Sequence, residues 1–216
     1  MTFTHTLADP RIRTALDRMF GLAERDDAIA ATLPAGYASM SAHEKADAAA
    51  AIHMPISAAG GVLLYNLIRA TRPTTVVEFG MSFGISTLHL AAALRDNGAG
   101  RVFTTELSTE KIAAARGTFA ETGVDDLITV LEGDALDTLA ALDAPADFVL
   151  LDGWKDLCLP VLRLLEPRLR PGTLVVADDI DQSSMQPYLD YVRDPGNGYE
   201  SVSFPVEDGM EISCRL

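Results

Sequence analysis

The sequence predicts an α/β fold: a mostly parallel sheet with helices on both faces and an antiparallel hairpin at one edge. Three observations carry this. From residue 74 onward five short apolar runs, mostly rich in β-branched residues, alternate with helical segments, which implies right-handed βαβ crossovers. A glycine-bearing turn joins the first run to its following helix. Residues 199–205 and 211–216 flank a Glu207-Asp208-Gly209 turn and read as a hairpin. With 216 residues, 48% of them hydrophobic and 22% charged, the chain suits one domain with a sizeable core.

The elements follow in order. Ile12, Ala15, Leu16, Met19, Leu22 and Ala23 recur at helical spacing within residues 11–30. Leu33-Pro34-Ala35-Gly36 ends that pattern. Ser41 and Glu44 have capping-box spacing and open a helix to about residue 51. Pro55 precedes a further helix over 56–70, with Leu63, Leu64, Leu67 and Ile68 on its buried face. Residues 1–55 read as a helical lid and 56–216 as the core of the same single domain. Strands are then expected at 74–79, 101–106, 128–131, 147–151 and 173–177. Helices are expected at 86–97, 108–122, 135–142, 155–169 and 184–193. Gly98 and Gly123 end two of these helices, and Ser108 caps one.

The charge balance narrows the function. Seventeen Lys and Arg against 31 Asp and Glu give a net charge of −14. That excludes a basic nucleic-acid footprint and disfavours an anionic membrane surface. No apolar run is long enough to span a bilayer, and the first twenty residues lack the pattern of a signal peptide. Cys158 and Cys214 read as free thiols. The expectation is a cytoplasmic protein.

The turn VVEFGMSFGIST (76–87) follows a strand and opens a helix. Gly80 and Gly84 allow a close backbone approach to a ligand, and the helix start offers free N–H groups. The spacing is Gly-x-x-x-Gly, unlike the dinucleotide fingerprint. Glu78 would repel a pyrophosphate but attract an ammonium group. Glu106, at the second strand's end, suits two ribose hydroxyls. Gly133-Asp134-Ala135 follows the third strand, where Asp134 suits an adenine amine. Ammonium, ribose and adenine at three successive strand ends describe S-adenosylmethionine. The bland readings are a tight turn, a solvated strand end and a helix N-cap.

The fourth and fifth strands end in Asp152-Gly153-Trp154-Lys155 and Asp178-Asp179. Adjacent parallel strands would gather Asp152, Asp178 and Asp179. A hard divalent ion such as Mg²⁺ would relieve their repulsion. Alternatively, Asp179 or Asp181 caps the next helix and Asp152 faces solvent. Lys155 could lower a hydroxyl's pKa as an ammonium, take its proton as an amine, or be an exposed lysine. Trp154 offers a flat face to an aromatic substrate. His53 reads as an alternative base, a substrate contact or a helix-end residue.

Together these residues resemble the cation-dependent, S-adenosylmethionine-dependent O-methyltransferases, and most closely the catechol O-methyltransferase group. The likeness runs from about Met54 to the C-terminus. It is carried by VVEFGMSFGIST, LLDGWKDLCLP, RPGTLVVADDI and EDGMEIS. It implies a Rossmann-like class I methyltransferase sheet. It also implies a cofactor site at Met54 and the loop 54–56, Glu78, Gly80, Gly84, Ser86, Glu106, Asp134, Ala135 and Asp152. The metal ligands would be Asp152, Asp178 and Asp179. Lys155 would be the catalytic base, with Trp154 beside the substrate. The family's second metal ligand on the fifth strand is asparagine, and here it is Asp179. The family's histidine before Trp-Lys is Gly153. The glutamate that clamps the second catechol hydroxyl falls on Val202, with Glu200 or Glu207 as substitutes. The implied acceptor is a small phenol, and family habit implies a homodimer. Two alternatives stay open: a metal-independent methyltransferase of the same fold acting on a carboxylate or isolated hydroxyl, and a nucleotide-binding Rossmann domain that transfers no methyl group.

Overall fold

A computed structural model describes residues 5–216. Seven strands form one sheet in the order β3-β2-β1-β4-β5-β7-β6. They are β1 (Thr75–Phe79), β2 (Arg101–Glu106), β3 (Ile128–Glu132), β4 (Ala146–Leu151), β5 (Leu169–Ala177), β6 (Tyr199–Phe204) and β7 (Met210–Arg215). The first five are parallel, and β7 pairs antiparallel with both β5 and β6. The expected hairpin therefore forms, with β6 as the outer strand. The order reverses between β1 and β4, the switch point outside whose carboxyl ends open α/β sheets bind ligands.

Period-two alternation builds a core on each face. Val76, Phe148, Leu150 and Val176 point to one side. Val77, Val149, Leu151, Val175 and Ala177 point to the other. The first side is covered by α1 (Pro10–Ala23), α4 (Ala58–Thr71), α5 (Ile85–Asn97) and α6 (Thr109–Thr122). The second is covered by α7 (Ala135–Ala140), α8 (Cys158–Leu165) and α9 (Gln186–Arg193). Helix α5 is buried on almost every side, so its sequence shows little amphipathic contrast.

The N-terminal region departs from the expected pattern. The helix anticipated over 11–30 is two helices, α1 and α2 (Asp26–Ala30), parted at Glu24 and Arg25. Helix α1 buries Ile12, Ala15 and Met19 in the main core. Helix α2 buries nothing and turns so that Asp26 accepts hydrogen bonds from the His53 and Met54 N–H groups at 2.9 and 2.8 Å. Tertiary contacts override a continuous helical pattern here. Helix α3 (Ala42–Ala48) starts at the expected capping box. The part that covers the sheet's carboxyl edge thus runs from α2 to Met54, while α1 belongs to the core. Among the described residues no helix is long and apolar enough to cross a membrane.

Candidate active site

A cavity of about 1000 Å³ opens over the carboxyl ends of β1, β2, β4 and β5, and the segment from Asp26 to Met54 forms part of its wall. The turn after β1 builds its floor. Gly80 has φ +99°, and a Cβ there would stand 2.5 Å from the Gly153 backbone nitrogen. Both facts demand glycine. Gly153 in turn lies against the Phe79 ring, 2.5 Å from where its own Cβ would be. Phe79 thus fills the space beside residue 153, which accounts for glycine where the family has histidine.

Most of the expected cofactor residues reach the cavity: Met54, Gly80, Ser86, Glu106, Asp134, Ala135 and Asp152 line it. Two do not. Glu78 points to the α5 side of the sheet, fully buried, where it accepts hydrogen bonds from Ser86 Oγ at 2.6 Å and Thr87 Oγ1 at 2.5 Å. Burial raises its pKa to about 7, against the pull of those hydroxyls. Glu78, expected to meet an ammonium group directly, does not line the cavity; it lies beneath the turn and accepts from Ser86, which does. Gly84 caps α5 with φ +90° and packs on Phe119, supporting the turn from behind.

Glu106 is held firmly. Its Oε2 accepts from Ser82 N–H at 2.8 Å, and Oε1 from Leu107 and Ser108 N–H at 2.8 and 2.9 Å. Asp134 is the N-cap of α7, accepting from Leu136 N–H through Oδ1. The cap reading is realised at the cavity wall, and a carboxylate has a second oxygen for a ligand.

At the acidic end, Lys155 Nζ donates to Asp152 Oδ1 at 2.9 Å and lies 3.0 Å from Asp179 Oδ2. Burial alone would push this ammonium down. The two carboxylates outweigh it and hold its pKa above the ordinary lysine range. Asp178 is buried, and burial plus the neighbouring Asp152 and Asp179 pushes it up to about 8. Asp179 adopts φ +55°. Among the described residues no three such side chains converge as a ready metal site; Lys155 bridges two of the aspartates. The donor set still suits a hard dication: all oxygen, with excess negative charge.

Aromatic rings and charged groups line the cavity beside Lys155. Trp154 meets Tyr37 edge-on at 6.5 Å between ring centroids, and Lys45 Nζ stands 5.9 Å above the indole. On the glycine-turn side, His53 stacks on Phe83 at 4.1 Å, with Nδ1 3.5 Å from Asp26 Oδ1. Burial pushes its pKa down, with Asp26 opposing. Val202 is 61% exposed on β6 and does not line the cavity, whereas Glu207 does. Glu207 Oε2 accepts from Ser57 N–H at 2.8 Å. Of the two proposed substitutes for the clamping glutamate, only Glu207 is in place.

Sequence reasoning missed Asp26, Tyr37, Lys45, Ser82 and Lys111, all on the cavity wall. The first three arrive from the lid, whose placement no periodicity reveals. Lys111 had a signal: a cation in the first turn of a helix, where anions are favoured.

Comparison with known proteins agrees with this geometry. A family described as methyltransferase domain matches residues 77–180. Catechol O-methyltransferase B of Danio rerio is 31% identical over 170 residues, covering 72% of this chain and 63% of that protein. The chain thus spans a little under two-thirds of the zebrafish protein's length. Catechol O-methyltransferase of Sus scrofa is 30% identical over 165 residues, covering 70% of this chain and 87% of that protein. The fold matches the O-methyltransferase from Bacillus cereus solved in complex with SAH, at a TM-score of 0.70 and 20% identity, over 94% of this chain and 91% of the other. With the class I sheet, the glycine turn and the Asp-x-Trp-Lys edge in place, the chain belongs to the cation-dependent, S-adenosylmethionine-dependent O-methyltransferase family close to catechol O-methyltransferase.

Proposed function

We propose that the protein transfers the methyl group of S-adenosylmethionine to a hydroxyl of a small phenolic, catechol-like acceptor, assisted by a divalent cation, Mg²⁺ in the first instance. The observation that carries this is one cavity with two chemically distinct ends. One end holds the glycine turn, Glu106 and Asp134. The other holds Lys155 between Asp152 and Asp179, beside Trp154.

The cofactor half suits its ligand part by part. Glu106 would take the ribose hydroxyls, Asp134 and Ala135 the adenine, and Ser86 with the loop at Met54 the amino-acid end. Asp152, Asp178 and Asp179 would hold Mg²⁺, which would supply Lewis acidity toward two neighbouring acceptor oxygens.

The chain's own residues address the main barrier. A phenol has a pKa of about 10, so ionising it at pH 7 costs roughly 4 kcal/mol. Lys155 lies 2.9 Å from Asp152 and 3.0 Å from Asp179. It stands at the acceptor end of the cavity, where it is positioned to steady the developing phenolate or, as the resemblance implies, to take the hydroxyl proton. Trp154 and Tyr37 offer an apolar slot for the ring. Glu207 offers an acceptor for a second hydroxyl. The lid from Asp26 to Met54 limits water, and holding oxygen and methyl in line lowers the barrier further.

The test is calorimetric titration of the metal-stripped protein with S-adenosylhomocysteine, followed by methyl-transfer assays on o-diphenols with and without a chelator. Micromolar binding and chelator-sensitive transfer are expected. Transfer that ignores the chelator would point to the metal-independent reaction. Failure to bind S-adenosylhomocysteine would overturn the cofactor assignment.

A further inference from the structure

The chain contains three lysines, Lys45, Lys111 and Lys155, and all three line the cavity. This is notable in a protein of net charge −14. Lys155 is paired with two carboxylates, and Lys45 is partly exposed at the mouth. Lys111 fits neither description. It is only 3% exposed, and it is the third residue of α6 after the Ser108 N-cap.

That position is unfavourable for a cation on two counts. Burial removes the hydration of the ammonium group, and the positive end of the helix dipole repels it. Its hydrogen bond goes to the neutral Ser82 Oγ, at 3.2 Å. Ser82 Oγ itself donates to the His53 carbonyl, so it can only accept from Lys111. The Phe83 ring lies 5.5 Å from the ammonium nitrogen, which leaves at least one N–H direction for another partner. Glu106 and Asp26 attract Lys111 through space. However, both carboxylates are engaged by backbone N–H groups, Glu106 by three and Asp26 by two.

A buried cation at a helix N-terminus and on a ligand cavity is best explained by an anion that arrives with the ligand. S-adenosylmethionine carries adenine, ribose, a sulfonium, an ammonium and a carboxylate, and only the carboxylate is negative. We infer that Lys111 binds the cofactor's carboxylate, and so selects the amino-acid-bearing cofactor over adenosine thioethers that lack that group. This rests on the methyltransferase reading above and adds Lys111 to the cofactor's contacts.

The test compares two ligands that share adenosine and a thioether but differ in the amino-acid group: S-adenosylhomocysteine and 5′-methylthioadenosine. Each is titrated calorimetrically into the wild type and into Lys111→Met, Lys111→Gln and Lys111→Arg. The expected result is a loss of about 10- to 100-fold in S-adenosylhomocysteine affinity for the Met and Gln variants, as for a charge-assisted hydrogen bond. Affinity for 5′-methylthioadenosine should stay within about twofold of wild type, and Arg should recover part of the loss. The readout is a ratio within each protein, so a misfolded Met variant leaves the Gln variant to decide. Equal weakening toward both ligands, or no weakening toward either, would overturn the inference. A wild type that binds neither ligand would instead bring down the methyltransferase reading itself.

Discussion

At the residue scale, the site depends on charges placed against one another and on glycines that leave room for them. Lys155 neutralises Asp152 and Asp179 at about 3 Å from each. Lys155→Met keeps the side chain's bulk and removes its charge. Turnover should fall by at least about 100-fold, the scale of one lost electrostatic contact to the transition state. S-adenosylhomocysteine affinity should change by less than about threefold; steady-state kinetics and calorimetry separate the two. Full turnover in this variant would remove Lys155 from the mechanism. Gly80→Ala tests the floor. A Cβ at φ +99° and 2.5 Å from backbone cannot be relieved by a side-chain rotation. A loss of about 2–4 kcal/mol in unfolding free energy is expected from denaturant midpoints. A loss under 1 kcal/mol would mean that the turn after β1 is softer than its geometry implies. The sequence exposed Gly80, Lys155 and the aspartates because their motifs sit at strand ends. It concealed Ser82, whose importance lies in what it faces, and marked Lys111 only by its unfavourable place in the first turn of α6.

At the element scale, two latches hold the cavity's cover in place. Asp26 on α2 ties down the turn at His53 and Met54, where Met54 adopts φ +45°. Glu207, in the β6–β7 turn, ties down the start of α4 through Ser57. Asp26→Ala should free the lid without melting the core, because α2 buries no residue of its own. Hydrogen exchange should speed up across residues 26–54 while β1 and β4 keep their protection. S-adenosylhomocysteine affinity should weaken by about 3- to 30-fold, the range of one or two lost hydrogen bonds. Unchanged exchange in the lid would show that Asp26 is not its anchor. The sequence separated strands from helices well here, since period-two and helical spacing differ plainly. It ran α1 and α2 together, because the break at Glu24 and Arg25 carries neither glycine nor proline.

At the scale of the whole molecule, Glu78 links the core to pH. Its pKa rises from 4.5 to about 7 on folding, chiefly through burial. The folded state thus binds the proton more tightly than the unfolded chain. Its contribution is fully present below about pH 4.5 and is lost as pH rises through 7. The swing is roughly 3 kcal/mol. Denaturant unfolding of wild type and Glu78→Gln at pH 5 and pH 8 should show the variant gaining relative stability at the higher pH. A constant difference between the two proteins would mean that Glu78 is not held neutral by the fold. The sequence by itself determined the parallel sheet, its closing hairpin and the strand ends that carry Asp152, Lys155, Asp178 and Asp179. Apolar periodicity and turn chemistry are local, and a parallel sheet places its ligand site at the strands' carboxyl ends whatever the details. Only the tertiary structure decided which side chains turn into the cavity. It sent Glu78 beneath the turn and brought Asp26, Lys45 and Glu207 to the wall from distant segments. It also buried Lys111 against Ser82, 29 residues away in the chain. Burial and long-range charge pairing belong to contacts that exist only once the chain has closed on itself.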